Sequence, residues 1–574
     1  MRKITLSEIF NKRNVNRVIA ILMVLTMLFA FAACNDDKND GNNSSLVSSQ
    51  TPSDDTSSKD DTSSEDNSSE EGTDSNVSSK PTYIDPLDGD IYVTYDYDTT
   101  LSRTDLNEVE PVVDPANLAN KYVGYAEEER NKLRDEILNT KNTLDLYKIK
   151  GTVYYVSTSG DDDNDGKSPK NAIRTLAAVG GLMLEPGDAV LFERDCIFRM
   201  YEPFYCQSGI TYGSYGKGSK PMFVGSPENF AKDVVWSPSK KRNVWQTDYM
   251  YAYASGAFFN QGEECGYMKS AIGDLNKNTD FFCDTENSVV YIYCDKGNPS
   301  KVWDSIELSQ SGIRVELPTR VANVTIDNIC IRFCGEGGIR GEYPNHDITV
   351  TNCEIGYVGG AWHGTVRYGN GIELWCGGWN LNWSHNWIYQ TFDSGISPQS
   401  NIGGELLKMD NVVFSNNLFE FNNADIEFWE HGCESGLTPS RFKDWYMENN
   451  ICRFTSLGWG TRADDGGIRG IDGVFFGRSS DNAMINVNWR NNIIDCPGRQ
   501  IYKFTISNKE QYDGWKRENN TYYIKQSLRT TDDLAIGLTA PINNTTNYVA
   551  NTEEATLAAF AEFEPDSKVY WYRK

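Results

Sequence analysis

Histidine is almost missing from this chain, with four in 574 residues, and no two of its thirteen cysteines stand at CxxC spacing. That argues against a structural zinc site. No Gly-x-Ser-x-Gly string and no glycine-rich phosphate loop occur, so serine-hydrolase and nucleotide chemistry lack their usual support. Positive charge is short as well: 54 Lys and Arg face 81 Asp and Glu, a net charge of −27. Clustered cations are what neutralise phosphates, so no nucleic-acid partner is expected. A polyanionic partner is equally unpromising unless calcium intervenes.

An apolar run of membrane-spanning length is lacking too. Val18 to Ala33 is 16 residues, against the ~20 a spanning helix needs. Arg2, Lys3, Lys12, Arg13 and Arg17 precede it, and it ends Phe31-Ala32-Ala33-Cys34. A basic start, a short apolar stretch and small residues describe a secretory signal over 1–33. The cysteine that follows resembles the lipobox of bacterial lipoproteins, with Phe31 where leucine is usual. That resemblance implies acylation of Cys34 and a lipid anchor on the extracellular face of the cell membrane. Residues 34–80 are nearly all Ser, Asp, Glu, Asn, Thr and Gly, with a charge of −9 over 35–80. So little apolar surface predicts a disordered tether. With +4 on 1–33, the remaining body carries −22 of the total.

What the body does have is a repeat. Asn328, Asn352, Asn386, Asn417, Asn450, Asn492 and Asn520 each follow an apolar strand, and Ile339, Ile372, Ile396, Ile426, Ile468 and Ile501 follow the asparagines. The shortest interval is 24 residues, which suits one coil of a parallel β-helix whose inside stays unburied until a neighbour stacks on it. At a bend, each Asn is predicted both to adopt the left-handed conformation and to bond its neighbours. Between 230 and 308 the pattern gives way to alternating strands with turn signals, predicting an inserted β-sandwich.

The strings 153–179 and 185–198, followed by the insertion and the coils, resemble the β-helix glycoside hydrolases that carry an inserted β-sandwich, a group that includes xylosidases, xylanases and fucosidases. The fold class implied is all-β: a right-handed, pectate-lyase-like parallel β-helix. Its first coils and cap occupy 151–229, the sandwich 230–308 and the main coils 309–526. Residues 81–150 form an N-terminal extension with one helix near 126–140, and 527–574 a C-terminal packing segment with a helix near 552–563. Asp161, Asp163 and Asp165 match the first half of a calcium loop, but Ala172 stands where its closing glutamate belongs. A plain turn and a calcium site both stay open, and no cofactor is required.

Side chains alternate along a strand. If the repeating isoleucines point inward, Glu373, Glu427, Arg469 and Tyr502 point outward one residue later. Trp375, Gln399 and Trp429 do so three residues later, and Asp425 one residue before. Asp393 and Asp465 precede their strands. Glycoside cleavage needs one protonated and one ionised carboxyl, ~5–9.5 Å apart, and neighbouring carboxyls push each other's pKa values apart. The expected pair is Asp425 with Asp465, with Asp393 and Glu427 as substitutes. Glu373, Trp375, Trp429, Gln399, Arg469 and Tyr502 are expected to line the substrate. Two long loops, one with His363 and Arg367 and one with Arg462 and Asp464, are expected to wall the groove.

The function expected is hydrolysis of a neutral polysaccharide or oligosaccharide by a monomer. A uronate lyase is the enzymatic rival, and a non-catalytic glycan-binding surface protein the rival of a different class.

Overall fold

The computed structural model describes Tyr122 and residues 124–342, 344–360, 362–363, 366–400, 408–430, 441–461, 473–479, 484–506, 515–526, 534–538, 547–550 and 552–572. The signal, Cys34 and the tether lie outside the described residues.

From Val153 onward the chain winds through three sheets in turn. The first has ten strands, from Val153–Val156 to Trp515–Glu518. The second also has ten, from Ile197–Arg199 to Lys568–Tyr572, and the third has eight, from Phe204–Tyr205 to Gln500–Ile506. Each strand pairs in parallel with the one a coil later, so that Ile339, Ile372, Ile396 and Ile426 stack in one column. Parallel crossovers are right-handed because a right-twisted strand packs back only that way, and the body is a right-handed parallel β-helix. Its interior is one continuous core in which Val350, Trp383, Ile355, Ile388 and the stacked isoleucines are fully buried.

The bend from the first sheet to the second divides the two jobs expected of a single asparagine. His385, Asn416, Asn449, Asn491 and Asn519 take the left-handed conformation, with φ of 54–58°. The next residues, Asn386, Asn417, Asn450, Asn492 and Asn520, form a buried ladder. From Asn417 on, each Oδ1 accepts the main-chain N–H of the asparagine one coil earlier at 2.9–3.0 Å. Asn328 and Asn352 belong to the left-handed column instead, with φ of 62° and 56°. Cys353 holds the ladder position of its coil and donates its N–H to Asn386 at 2.9 Å.

The insertion leaves the second sheet after Met222–Val224 and rejoins the third at Val315–Leu317. It contains a three-stranded sheet centred on Ala254–Phe259 and a five-stranded sheet built around Val244–Asp248, Asp280–Asp284 and Val289–Tyr293. Phe230, Phe259, Phe281, Val290, Trp303 and Ile306 fill one core shared by both.

The helix Glu127–Leu138 lies on the outer face of the second sheet, with Ile137 packed against Trp387 and Leu418. Ala126, at its start, has no capping side chain, and Asp495 of the sheet accepts the N–H groups of Tyr125 and Ala126 instead. A carboxylate there also suits the positive end of the helix dipole. At the far end the helix Glu553–Phe563 sets Phe560 against Tyr522, ring centroids 4.6 Å apart. The tail does more than pack, because Lys568–Tyr572 adds a strand to the second sheet.

The eleven described cysteines are all buried, and no disulfide forms among them. These thiols serve as small core residues. Asp161 and Asp165 accept N–H groups two residues ahead, from Asp163 and Lys167, while Asp162 caps Thr175. No cluster of three metal-ligating side chains occurs among the described residues.

Candidate active site

The outer face of the third sheet carries a column that runs Tyr205, Glu316, Arg340, Glu373, Ser397, Glu427, set by consecutive parallel registers. Several expected members of this face are elsewhere. Asp425 points into the solenoid. In the three preceding coils its column is glycine: a side chain at Gly338, Gly371 or Gly395 would meet Ile355, Ile388 or Phe419 at 2.7 Å, all interior residues. The chain turns as it joins the strand, so two consecutive residues face inward and strict alternation fails there. Asp425 fits because the next residue of that interior column is the smaller Cys452. Its carboxyl accepts from Asn422 Nδ2 at 3.2 Å and from the Thr455 hydroxyl.

The register also departs from the isoleucine pattern at the end of the solenoid, by seven residues in one coil and by one in the next. Phe475, not Ile468, stacks on Ile426, and Tyr502, not Ile501, stacks on Phe475. A one-residue slip moves a side chain to the opposite face. Tyr502 is therefore core, its hydroxyl held by Tyr522 and by Glu564 at 2.8 Å. Asp465, Arg469, Arg462 and Asp464 fall at 462–472, outside the described residues, as do the side chains of His363 and Trp429.

What the structure does bring together is Glu427, Asp393, Glu373, Gln399, Trp375 and Arg367. Glu427 Oε2 accepts the hydroxyls of Ser394 and Ser397 at 2.7 and 2.9 Å. Burial, followed by repulsion from Asp393, pushes its carboxyl up to about 8. Asp393 lies at the turn before the strand, its side chain 21% exposed, with Arg367 Nε 3.9 Å away. Arg367 is braced on the Phe392 ring, 4.3 Å from its centroid, and by the Gly460 carbonyl. Gln399 Nε2 bonds Ser397 at 2.7 Å and Glu373 at 3.3 Å, and Arg340 lies 3.4 Å beyond on the other oxygen of Glu373. Arg340 also faces the rings of Tyr368 and Trp375 at 5.0 and 5.3 Å. Burial raises the Glu373 carboxyl and Arg340 opposes it.

The contrast along this column is chemical. Glu316, Glu336 and Glu373 each have a guanidinium of Arg314 or Arg340 beside them. Glu427 has serine hydroxyls in place of a guanidinium, and burial and the Asp393 charge outweigh those donors, so it keeps a proton at neutral pH next to the partly solvated Asp393. A proton donor and a second carboxyl then share one water-accessible face.

No protein-family model matches the chain, and no curated protein matches it. Solved structures do. One is a glycoside hydrolase, 10% identical, TM-score 0.38, covering 66% of this chain and 93% of that one. Another is a GH136 lacto-N-biosidase from Eubacterium ramulus, 17% identical, TM-score 0.34, covering 70% and 66%. A third is the pectate lyase Pel9A, 11% identical, TM-score 0.32, covering 65% and 74%. At such identities and scores the architecture rests on the three sheets themselves, and the chemistry on the side chains of the third.

The sequence singled out neither Ser394 nor Tyr368. Ser394 had a signal, since it separates Asp393 from the glycine column by one residue. Asp425, although not on the groove, has a measurable consequence. Burial lifts its carboxyl from 3.8 to about 7. Between those values the native state holds a proton that the unfolded chain has released, so stability falls as pH rises through the window, by about 4 kcal/mol in all. The amide of Asp425→Asn has no such proton to lose. Urea midpoints at pH 4.5 and pH 7.5 (about one unit inside and just above the window) are expected to drop for the native protein relative to the variant. Parallel changes in both proteins would show that Asp425 does not titrate this way.

Proposed function

We propose that this protein is a carbohydrate-active enzyme that hydrolyses a neutral glycan on the outer face of the third sheet, with Glu427 as proton donor and Asp393 as its ionised partner. The observation that carries the reading is the Glu427 carboxyl, pushed up to about 8 by burial and by Asp393 while two serine hydroxyls fix its orientation. A glycosidic oxygen needs a proton as it leaves, and the developing positive charge on the sugar needs a carboxylate or a carboxylate-activated water. Glu427 and Asp393 supply one of each. Asp465, the expected partner of Asp425, stays a candidate on residues 462–472.

A neutral substrate follows from charge. The guanidiniums of Arg314, Arg340 and Arg367 already lie against Glu316, Glu336, Glu373 or Asp393. A uronate would have to displace a paired carboxylate to reach any of them. The signal and Cys34 complete the proposal: a lipid-anchored enzyme working as a monomer on the outer surface of a bacterial membrane.

The test is product analysis with the full chain on xylan, arabinan, galactan, mixed-linkage glucan and pectate. New reducing ends without the ultraviolet absorbance of an unsaturated uronate are expected on a neutral member of that set. Absorbance on pectate would make the protein a lyase. Retention on a glycan without any cleavage would make it a binding protein.

A further inference from the structure

The polar column on the third sheet does not end in another ion pair. Beyond Glu316 its first member is Tyr205, whose register partner is Glu316 itself. From Glu316 to Glu427 every side chain in the column is nearly covered, between 0% exposed at Ser397 and 8% at Glu427. They form a floor. Tyr205, by contrast, is 57% exposed, and Tyr201 at the preceding turn is 58% exposed. Tyr201 lies 6.4 Å, centroid to centroid, from Tyr251 of the inserted sandwich, whose hydroxyl is anchored on Glu228 at 2.6 Å. The inserted domain thus braces this end of the face.

Two large exposed rings at the end of a covered polar floor need an explanation, since large aromatics are normally well covered. Tyr is amphipathic: a flat apolar face with a polar tip suits the apolar face of a pyranose ring and its hydroxyl rim. The Tyr205 hydroxyl lies among Arg314, Glu316, Glu202 and Glu342, so its tip is in a polar setting while its ring stays open. From Tyr205 to Glu427 are five strand steps. At ~4.8 Å each they span ~24 Å, a length that only an extended chain of several sugar rings can bridge.

We infer that Tyr205, with Tyr201 beside it, is a remote stacking subsite for an extended neutral glycan chain that lies along the third sheet and reaches Glu427 at its other end. This rests on the hydrolase reading above and adds that the substrate is a polymer held across the whole face, not a terminal sugar or a dimer. The contacts at the far end act by holding the chain in register, and the chemistry remains at Glu427.

Binding is separable from cleavage. The full chain carrying Glu427→Gln is run by affinity electrophoresis through gels containing each neutral polysaccharide of the same set, with and without Tyr205→Ala. Retardation by at least one polysaccharide, weakened roughly fivefold or more by Tyr205→Ala and kept by Tyr205→Phe, is the expected result. On a polymer that the parent cleaves, Tyr205→Ala should shrink the advantage of the polymer over its trisaccharide by a similar factor, chiefly through KM. No retardation by any polysaccharide, or retardation indifferent to Tyr205→Ala, overturns the subsite. Retardation that depends on Tyr205 in a chain that cleaves nothing would keep the subsite and sink the hydrolase reading.

Discussion

Glu427→Gln is expected to lower the rate of glycan cleavage by about 10²–10⁴-fold, the usual worth of a positioned general acid, while the fold is retained. The substitution is nearly isosteric, and the amide oxygen still accepts the Ser394 and Ser397 hydroxyls that hold the carboxyl now. What it removes is the proton. Three readouts separate this role from simple damage to the site. The native protein should lose activity as pH rises through about 8, because there the buried carboxyl ionises and can no longer donate. That limb should vanish from the residual activity of the variant. An aryl glycoside whose leaving group departs without protonation should lose far less than a natural glycan. Asp393→Asn should be damaging on both substrate types, since an ionised partner is needed whatever leaves. It should also shift the alkaline limb of the remaining activity downward, because one source of repulsion that holds the Glu427 proton is gone. If Glu427→Gln cleaves the natural glycan at the native rate, the assignment of the acid is wrong, and residues 462–472 become the place to look.

The second large effect is on stability, far from the groove. Arg453 is fully buried and faces Glu420 and Asp495, each at 2.9 Å, and also Glu127 of the N-terminal helix. Arg130 of that helix completes the cluster on Glu420 at 2.9 Å, and Trp387 Nε1 donates to the same carboxylate at 3.0 Å. Arg453, Glu420, Asp495 and Arg130 were taken out of water, and only the pairing makes that tolerable. Arg453→Met keeps much of the volume but leaves buried Asp495 to the Tyr125 and Ala126 N–H groups and Glu420 to Arg130 and Trp387. We expect it to cost about 3–5 kcal/mol and to loosen the helix Glu127–Leu138 first, since that helix is held partly through Glu127. Limited proteolysis should therefore cut near 126–140 in the variant under conditions where the native protein is intact. Combining Arg453→Met with Glu420→Gln should cost less than the sum of the two single changes, because the second removes a charge that the first left short of a partner. Strict additivity, or a helix as protease-resistant as before, would mean the cluster is ornamental to the docking.

Several features needed no coordinates. Repeated Asn and Ile at coil spacing specified a stacked solenoid, because a short apolar strand broken at Asn and Gly can bury itself only against copies of itself. The insertion showed as a loss of that period, and the helices near 126–140 and 552–563 showed as local patterns. The faces of individual side chains were a different matter. Asp425 looked exceptional because it breaks a glycine column, and it is, but the exception is matched by Cys452 inside the coil. Nothing in a linear string says that the strand turns as it starts, nor that a small residue in the next coil leaves room there. Tyr502 went to the wrong face through a one-residue register slip, since Ile501 copied the isoleucine pattern while the pairing followed Phe475. Glu427 and Asp393, named in the sequence as substitutes, meet only through the pairing of the strand Ser394–Ser400 with Ala424–Glu430. Repetition is a local property, so the sequence determined the fold. The site is a relation between neighbouring coils, set by packing and register, and only the tertiary structure decided it.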